Sequence, residues 1–176
     1  MTEATQTPAP HCGLVAIIGA PNAGKSTLVN RLVGQKVAIV SPKAQTTRTR
    51  LIGISSHEHT QMMLVDTPGI FDPNRRLDRA MVAAAWEGSQ DADVICLIID
   101  GKGGLGAKVM KIVDRLKGRT DRIWLVVNKV DIARKDKLLP HVQTLSEALN
   151  LEQVYFVSAE TGDGVEELKA ALAAQM

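Results

Sequence analysis

The run "GAPNAGKST", Gly19 to Thr27, fits the pattern G-x-x-x-x-G-K-[ST] at Gly19, Gly24, Lys25 and Ser26. Glycines at these places allow a tight wrap in which successive backbone N–H groups face an anion. A helix starting there adds partial positive charge at its N-terminus. The run reads as a phosphate cradle built from Asn22, Ala23, Gly24, Lys25, Ser26 and Thr27. Lys25 is placed to reach β- and γ-phosphates, and the Ser26 hydroxyl to ligate Mg²⁺. The cradle does not choose a base, since ATPases and nucleotide kinases use the same pattern.

The choice of base rests on "VVNKVD", which sets Asn128, Lys129 and Asp131 just after an apolar run. A carboxylate only accepts hydrogen bonds. Guanine offers two donors on one edge, N1–H and the 2-amino group, and Asp131 can accept both. Adenine has a lone pair at N1 and no 2-amino group, so it would leave the carboxylate unpaired. Asn128 is expected to tie this loop to the phosphate cradle and touch the base edge, with the Lys129 stem along the base face. In "SAETG", Ser158, Ala159 and Glu160 follow another strand. A backbone N–H there, that of Ala159, is expected to donate to the guanine 6-oxo group.

Two further loops could sense a terminal phosphate. "LVDTPGIFD" ends a strand on Asp66, a Mg²⁺ ligand through water, since Mg²⁺ dehydrates reluctantly. Gly69 has no side chain, so its N–H can approach a γ-phosphate closely. "SPKAQTTRTR" offers a threonine hydroxyl to Mg²⁺, with Thr47 favoured over its neighbour Thr46. Loss of one phosphate would release both loops. Ile70 stands where many triphosphatases place a water-orienting glutamine, and it cannot orient water. Backbone groups of the switch loops, a residue from a partner, or a cation could take that task.

These loops need a frame. The chain has 176 residues, 45% hydrophobic, 23% charged and only 3% aromatic, with a net charge of +2. That is one domain with an aliphatic core, which suits a parallel sheet wrapped in helices. Strands are predicted over 13–19, 49–57, 60–66, 93–100, 122–128 and 153–159. Helices are predicted over 25–34, 77–90, 106–118, 135–150 and 165–175. The polar "HEH" between the second and third strands makes that pair antiparallel. Pro140 either starts the fourth helix or kinks it. The result is an α/β three-layer P-loop fold: a six-stranded, mostly parallel sheet with one antiparallel strand and helices on both faces. All the candidate loops then fall at the carboxyl ends of strands, where open α/β sheets bind ligands.

Residues 1–12 read as a disordered tail and 13–176 as the nucleotide-binding domain. The tail has neither signal nor transit character, and no apolar run is long enough to span a membrane. Cys12 and Cys96 form no disulfide framework, and Cys96 is expected in the core. His11, His57, His59 and His141 have no carboxylate or nucleophile at meaningful spacing and read as structural or solvated.

"GAPNAGKSTLVNRLVGQKVAIVSPKAQTTRTRLIGI", "LVDTPGIF", "RAMVAAAW", "NKVD" and "SAETG" together resemble the Era family of translation-factor-class GTPases, over about residues 13–175. "AQTTR" favours that family over its relatives Der and MnmE. The resemblance implies GTP hydrolysis to GDP with Mg²⁺, a switch role in small-ribosomal-subunit assembly and rRNA maturation, and a bacterial cytoplasmic location, with peripheral inner-membrane association allowed. It also implies that Asn22 can bind K⁺ beside the phosphates and so compensate for Ile70. Lys25, Thr47, Gly69 and Asn22 would then carry catalysis. Family members bind the 3′ end of small-subunit rRNA through a C-terminal KH domain. None is expected within these residues, so the chain reads as the G domain alone. The competing readings are a guanine-nucleotide sensor with negligible hydrolysis, a G domain of a relative such as Der, and a P-loop ATPase or nucleotide kinase. Asp131 speaks against the last.

Overall fold

The computed structural model describes residues 9–34, 51–66 and 92–176. Thr46, Thr47, Gly69, Ile70, the helix expected at 77–90 and most of the expected tail lie outside the described residues.

Six strands form one sheet: β1 (His11–Gly19), β2 (Leu51–His57), β3 (Thr60–Asp66), β4 (Val94–Asp100), β5 (Ile123–Asn128) and β6 (Leu151–Phe156). Their order is β2-β3-β1-β4-β5-β6. Only β2 runs antiparallel, against β3, and the other pairs are parallel. Strands β1 and β4 lie side by side in the middle, which explains why "VAII" and "VICLII" are apolar without alternation. β1 starts two residues before the predicted strand. His11 and Cys12, assigned to the tail, instead pair with Thr60 and Gln61 of β3.

The helices are α1 (Lys25–Val33), α2 (Ala107–Leu116), α3 (Lys135–Ala148) and α4 (Val165–Ala173). Residues of α1 and α4 bury one sheet face: Leu28, Leu32, Val165 and Leu168 pack with Val15, Ile17, Cys96 and Val126. Residues of α2 and α3 bury the other: Ile112, Val113, Leu138 and Leu145 pack with Ile18, Ile95, Leu97 and Leu125. Alternate residues of the central strands therefore feed opposite layers. Cys96 is fully buried, as expected, and burial pushes its thiol up to about 12. Pro140 neither starts nor ends α3, which begins at Lys135 and passes through it.

Candidate nucleotide-binding site

The cradle lies between β1 and α1. Asn22 and Gly24 both have left-handed backbone, φ 64° and 92°. Asparagine tolerates that region better than most residues, and glycine tolerates it without cost. These two reversals turn the chain from strand into helix within five residues. Lys25 opens α1 and is only 6% exposed. Its ammonium folds back onto the carbonyl oxygens of Gly19 at 3.1 Å and Ala20 at 3.0 Å. A buried charge so placed is compensated by the loop it would serve. Asn22 is exposed.

Asn128 ends β5 and is 1% exposed. Its Nδ2 donates to the Ala23 carbonyl at 2.9 Å. Its Oδ1 accepts from the Ala159 N–H, also at 2.9 Å. One side chain thus ties the phosphate cradle to both base loops. The tie to the cradle was expected from sequence. The Ala159 bond was not: that N–H, expected to face the guanine 6-oxo group, donates to Asn128 here. Loop 158–163 closes on itself through Gly162 N–H to Ser158 O at 2.8 Å and Ser158 N–H to Asp163 O at 2.9 Å. Ser158 is wholly buried, Ala159 is buried beside it and Glu160 is exposed.

Lys129 also has left-handed backbone, φ 62°. The stem was expected to lie along the base. Its ammonium reaches across the cradle, to the Asn22 carbonyl at 2.6 Å and Asp100 Oδ2 at 2.8 Å. Asp131 is exposed two residues on, in a turn closed by Ile132 N–H to Lys129 O at 3.2 Å. Its carboxylate is therefore open to an incoming ligand edge.

Two residues of this corner escaped the sequence reading. Asp100 ends β4 beside Asn128, its register partner on β5. Burial raises its pKa, but the hydrogen bond and charge of Lys129 and the N–H groups of Gly103 and Lys102 outweigh that and hold it below the usual value. Arg31 of α1 donates through Nε to the Ala159 carbonyl at 3.0 Å and through Nη2 to the Glu160 carbonyl. The only signal for Asp100 was a carboxylate at the end of an apolar strand. Nothing local marked Arg31.

Ser26 lies in the first turn of α1, and Asp66 ends β3 in register with Ile17 of the neighbouring β1. A serine hydroxyl and one carboxylate are hard oxygen donors, and so few protein ligands suit Mg²⁺, which keeps several waters. Among the described residues no cluster of three His, Cys, Asp or Glu side chains offers an alternative metal site. His141 packs its ring over Gly104 and takes no part in the corner.

A family described as 50S ribosome-binding GTPase matches residues 14–129. The chain belongs to that family. Over 94% of its length it is 59% identical to GTPase Era of Erythrobacter litoralis and 53% identical to GTPase Era of a Bradyrhizobium strain. It spans 56% and 54% of those two proteins, so it matches about half of each. Among solved structures, an Aquifex aeolicus Era variant bound to GDP and AlF₄⁻ superposes with a TM-score of 0.86 at 35% identity, over 94% of this chain and 57% of that one. An Era complex with MgGDPNP and nucleotides 1506–1542 of 16S ribosomal RNA matches equally well. The FeoB G domain of Methanococcus jannaschii, at 25% identity and a TM-score of 0.67, matches over 94% of this chain and 98% of its own. The GTPase fold read from the motifs is thus the fold observed. No helix among the described residues is long and apolar enough to cross a membrane.

Proposed function

We propose that the chain binds GTP and GDP with Mg²⁺, hydrolyses GTP, and reports the bound state to the small ribosomal subunit during its assembly in the cytoplasm. The observation that carries this is Asn128, buried and bonded at once to the P-loop carbonyl of Ala23 and the Ala159 N–H. That bridge joins the phosphate loop to the 128–131 and 158–160 loops, which supports their sharing one nucleotide. Lys25 would stabilise the β/γ-phosphates, Ser26 and Asp66 would hold Mg²⁺ with Thr47, and Gly69 would contact the γ-phosphate. Mg²⁺, when bound, neutralises charge on the transferring phosphoryl group. The N–H groups of residues 22–27 orient the phosphates, and Asp131 selects guanine. No described feature speaks for peripheral membrane association.

Hydrolysis without a glutamine at Ile70 needs another source of positive charge. In this reading K⁺ binds beside the phosphates at the exposed Asn22 carboxamide. The Asn22 backbone is left-handed and its carbonyl is held by Lys129. GTP turnover is expected to be faster in K⁺ than in Na⁺ at equal ionic strength. Equal rates, or an Asn22→Ala variant that keeps the K⁺ response, would remove K⁺ from the reading.

A competition titration with GTP, GDP, ATP and xanthosine triphosphate tests the whole. Guanine nucleotides should bind and ATP should not, and Asp131→Asn should shift preference to xanthine. ATP competing on equal terms would overturn the base assignment. Guanine binding with no single-turnover hydrolysis would leave a sensor module instead. The solved Era complex carries nucleotides 1506–1542 of 16S ribosomal RNA, and retention of this chain on small subunits in a GTP-dependent manner tests the assembly role.

A further inference from the structure

Asp100 uses both carboxylate oxygens. Oδ1 accepts from the N–H groups of Lys102 at 2.8 Å and Gly103 at 3.0 Å, which closes the turn after β4. Oδ2 accepts from Lys129 Nζ at 2.8 Å. That ammonium also donates to the Asn22 carbonyl. A relay therefore runs from β4 through Lys129 to the P-loop. It lies beside the Asn128 bridge, so residues 128 and 129 hold the consecutive carbonyls of residues 23 and 22. The two bridges differ in how they are fixed. Asn128 is short and buried. Lys129 is long, with its side chain 30% exposed, and left alone it would sample many rotamers. Asp100, 28% exposed at the side chain and pinned by its own turn, is the group that fixes where the ammonium points.

We propose that Asp100 is a positioning residue for nucleotide retention. It holds Lys129 across the P-loop so that the base loop and phosphate loop stay together, and this slows release of guanine nucleotide. The proposal rests on the guanine-nucleotide reading above. Its alternative is that Asp100 merely caps the turn at residues 101–104.

A double-mutant cycle separates the two. Asp100→Asn retains an amide oxygen for the Lys102 and Gly103 N–H groups but removes the charge facing Lys129. Lys129→Met retains a stem and removes the ammonium. Release of a fluorescent GDP from the 176-residue chain is measured for wild type, both single variants and the double variant. Losing a charge-assisted hydrogen bond should speed release about tenfold in Asp100→Asn. In the Lys129→Met background the same change should add less than about twofold, since its partner is already gone. Asp100→Ser, which also keeps an acceptor for the turn, should match Asp100→Asn. Equal acceleration in both backgrounds would make Asp100 a turn cap and overturn the proposal, as would unchanged release in Asp100→Asn. If wild type fails to bind fluorescent GDP at all, the guanine reading itself falls and takes this inference with it. Normal wild-type binding with a silent Asp100→Asn defeats the inference alone.

Discussion

The two halves of the sheet's carboxyl edge are built by different means. The phosphate side is shaped by backbone: Asn22 and Gly24 reverse the chain, and Lys25 bonds to carbonyls of its own loop. The base side is shaped by side chains that reach across the sequence. Asn128 bonds 105 residues back, Lys129 bonds 29 and 107 residues back, and Arg31 bonds 128 residues forward. A loop set by its own dihedrals is rigid as soon as its flanking strand and helix form. A loop set by distant donors is only as firm as the tertiary structure around it. The phosphate grip should therefore tolerate loss of any one side-chain partner, while the base grip should weaken stepwise.

The largest break in that contrast is Asn128→Ala. It removes both Asn128 hydrogen bonds at once and leaves a carbonyl and an N–H without that partner in a buried corner. A cost of about 3 kcal/mol is expected from two such groups. Chemical denaturation of the nucleotide-free chain would show it as a lower midpoint at unchanged slope. Guanine nucleotide affinity should fall more than a hundredfold. A variant of normal stability that has lost only affinity would mean that the bridge is not structural.

Next is a pair of glycines with nearly the same backbone. Gly34, φ 86°, ends α1 and has nothing within 4 Å of where a Cβ would lie. Gly24, φ 92°, would drive a Cβ into Asn128 Nδ2. Gly34→Ala should cost only the left-handed strain, roughly 1–2 kcal/mol. Gly24→Ala adds displacement of Asn128 and should lose nucleotide binding as well. Equal effects on binding would deny the coupling between cradle and base loop.

Much of this was legible from sequence, and the contrast explains which part. The six strands and the order of motifs follow from apolar runs and local patterns. The P-loop was readable because all its determinants lie within nine residues, Gly19 to Thr27. Asn128 was readable because its motif is compact. Asp100 and Arg31 were not, because each matters only through a contact made by folding. The Ala159 N–H was assigned to this corner, but its bond to Asn128 Oδ1 at 2.9 Å was not foreseen, since it joins residues 31 apart in sequence. Pro140 left two options open. The structure removes the first, since the helix begins at Lys135 and carries Pro140 inside it, with Leu138 and Leu145 buried on either side.

A smaller effect is expected at Arg31. Its side chain comes from an exposed position of α1, so water competes for both of its hydrogen bonds. Arg31→Ala should speed GDP release by about threefold, with stability nearly unchanged. That would show the 158–160 loop to be held mainly by Asn128 and its own turn. A loss as large as that of Asn128→Ala would reverse the ranking of the two supports.

The smallest effect separates charge from geometry at Asp100. Its pKa in the folded chain lies below the ordinary 3.8. A carboxyl depressed by folding contributes stability that is fully present above the unfolded pKa and is lost as pH falls through the folded one. Asp100→Asn has no such titration. The stability gap between wild type and variant should therefore be constant from neutral pH down to about 5 and should shrink as pH falls below about 4. Urea unfolding at several pH values between 7 and 3 measures it. The partly exposed setting of the pair keeps the gap small. A gap that persists unchanged at pH 3 would mean that the variant loses stability for a reason other than the charge of Asp100. The Lys129 ammonium would then be held at the base side without help from the Asp100 charge, as Lys25 is held by carbonyls alone on the phosphate side.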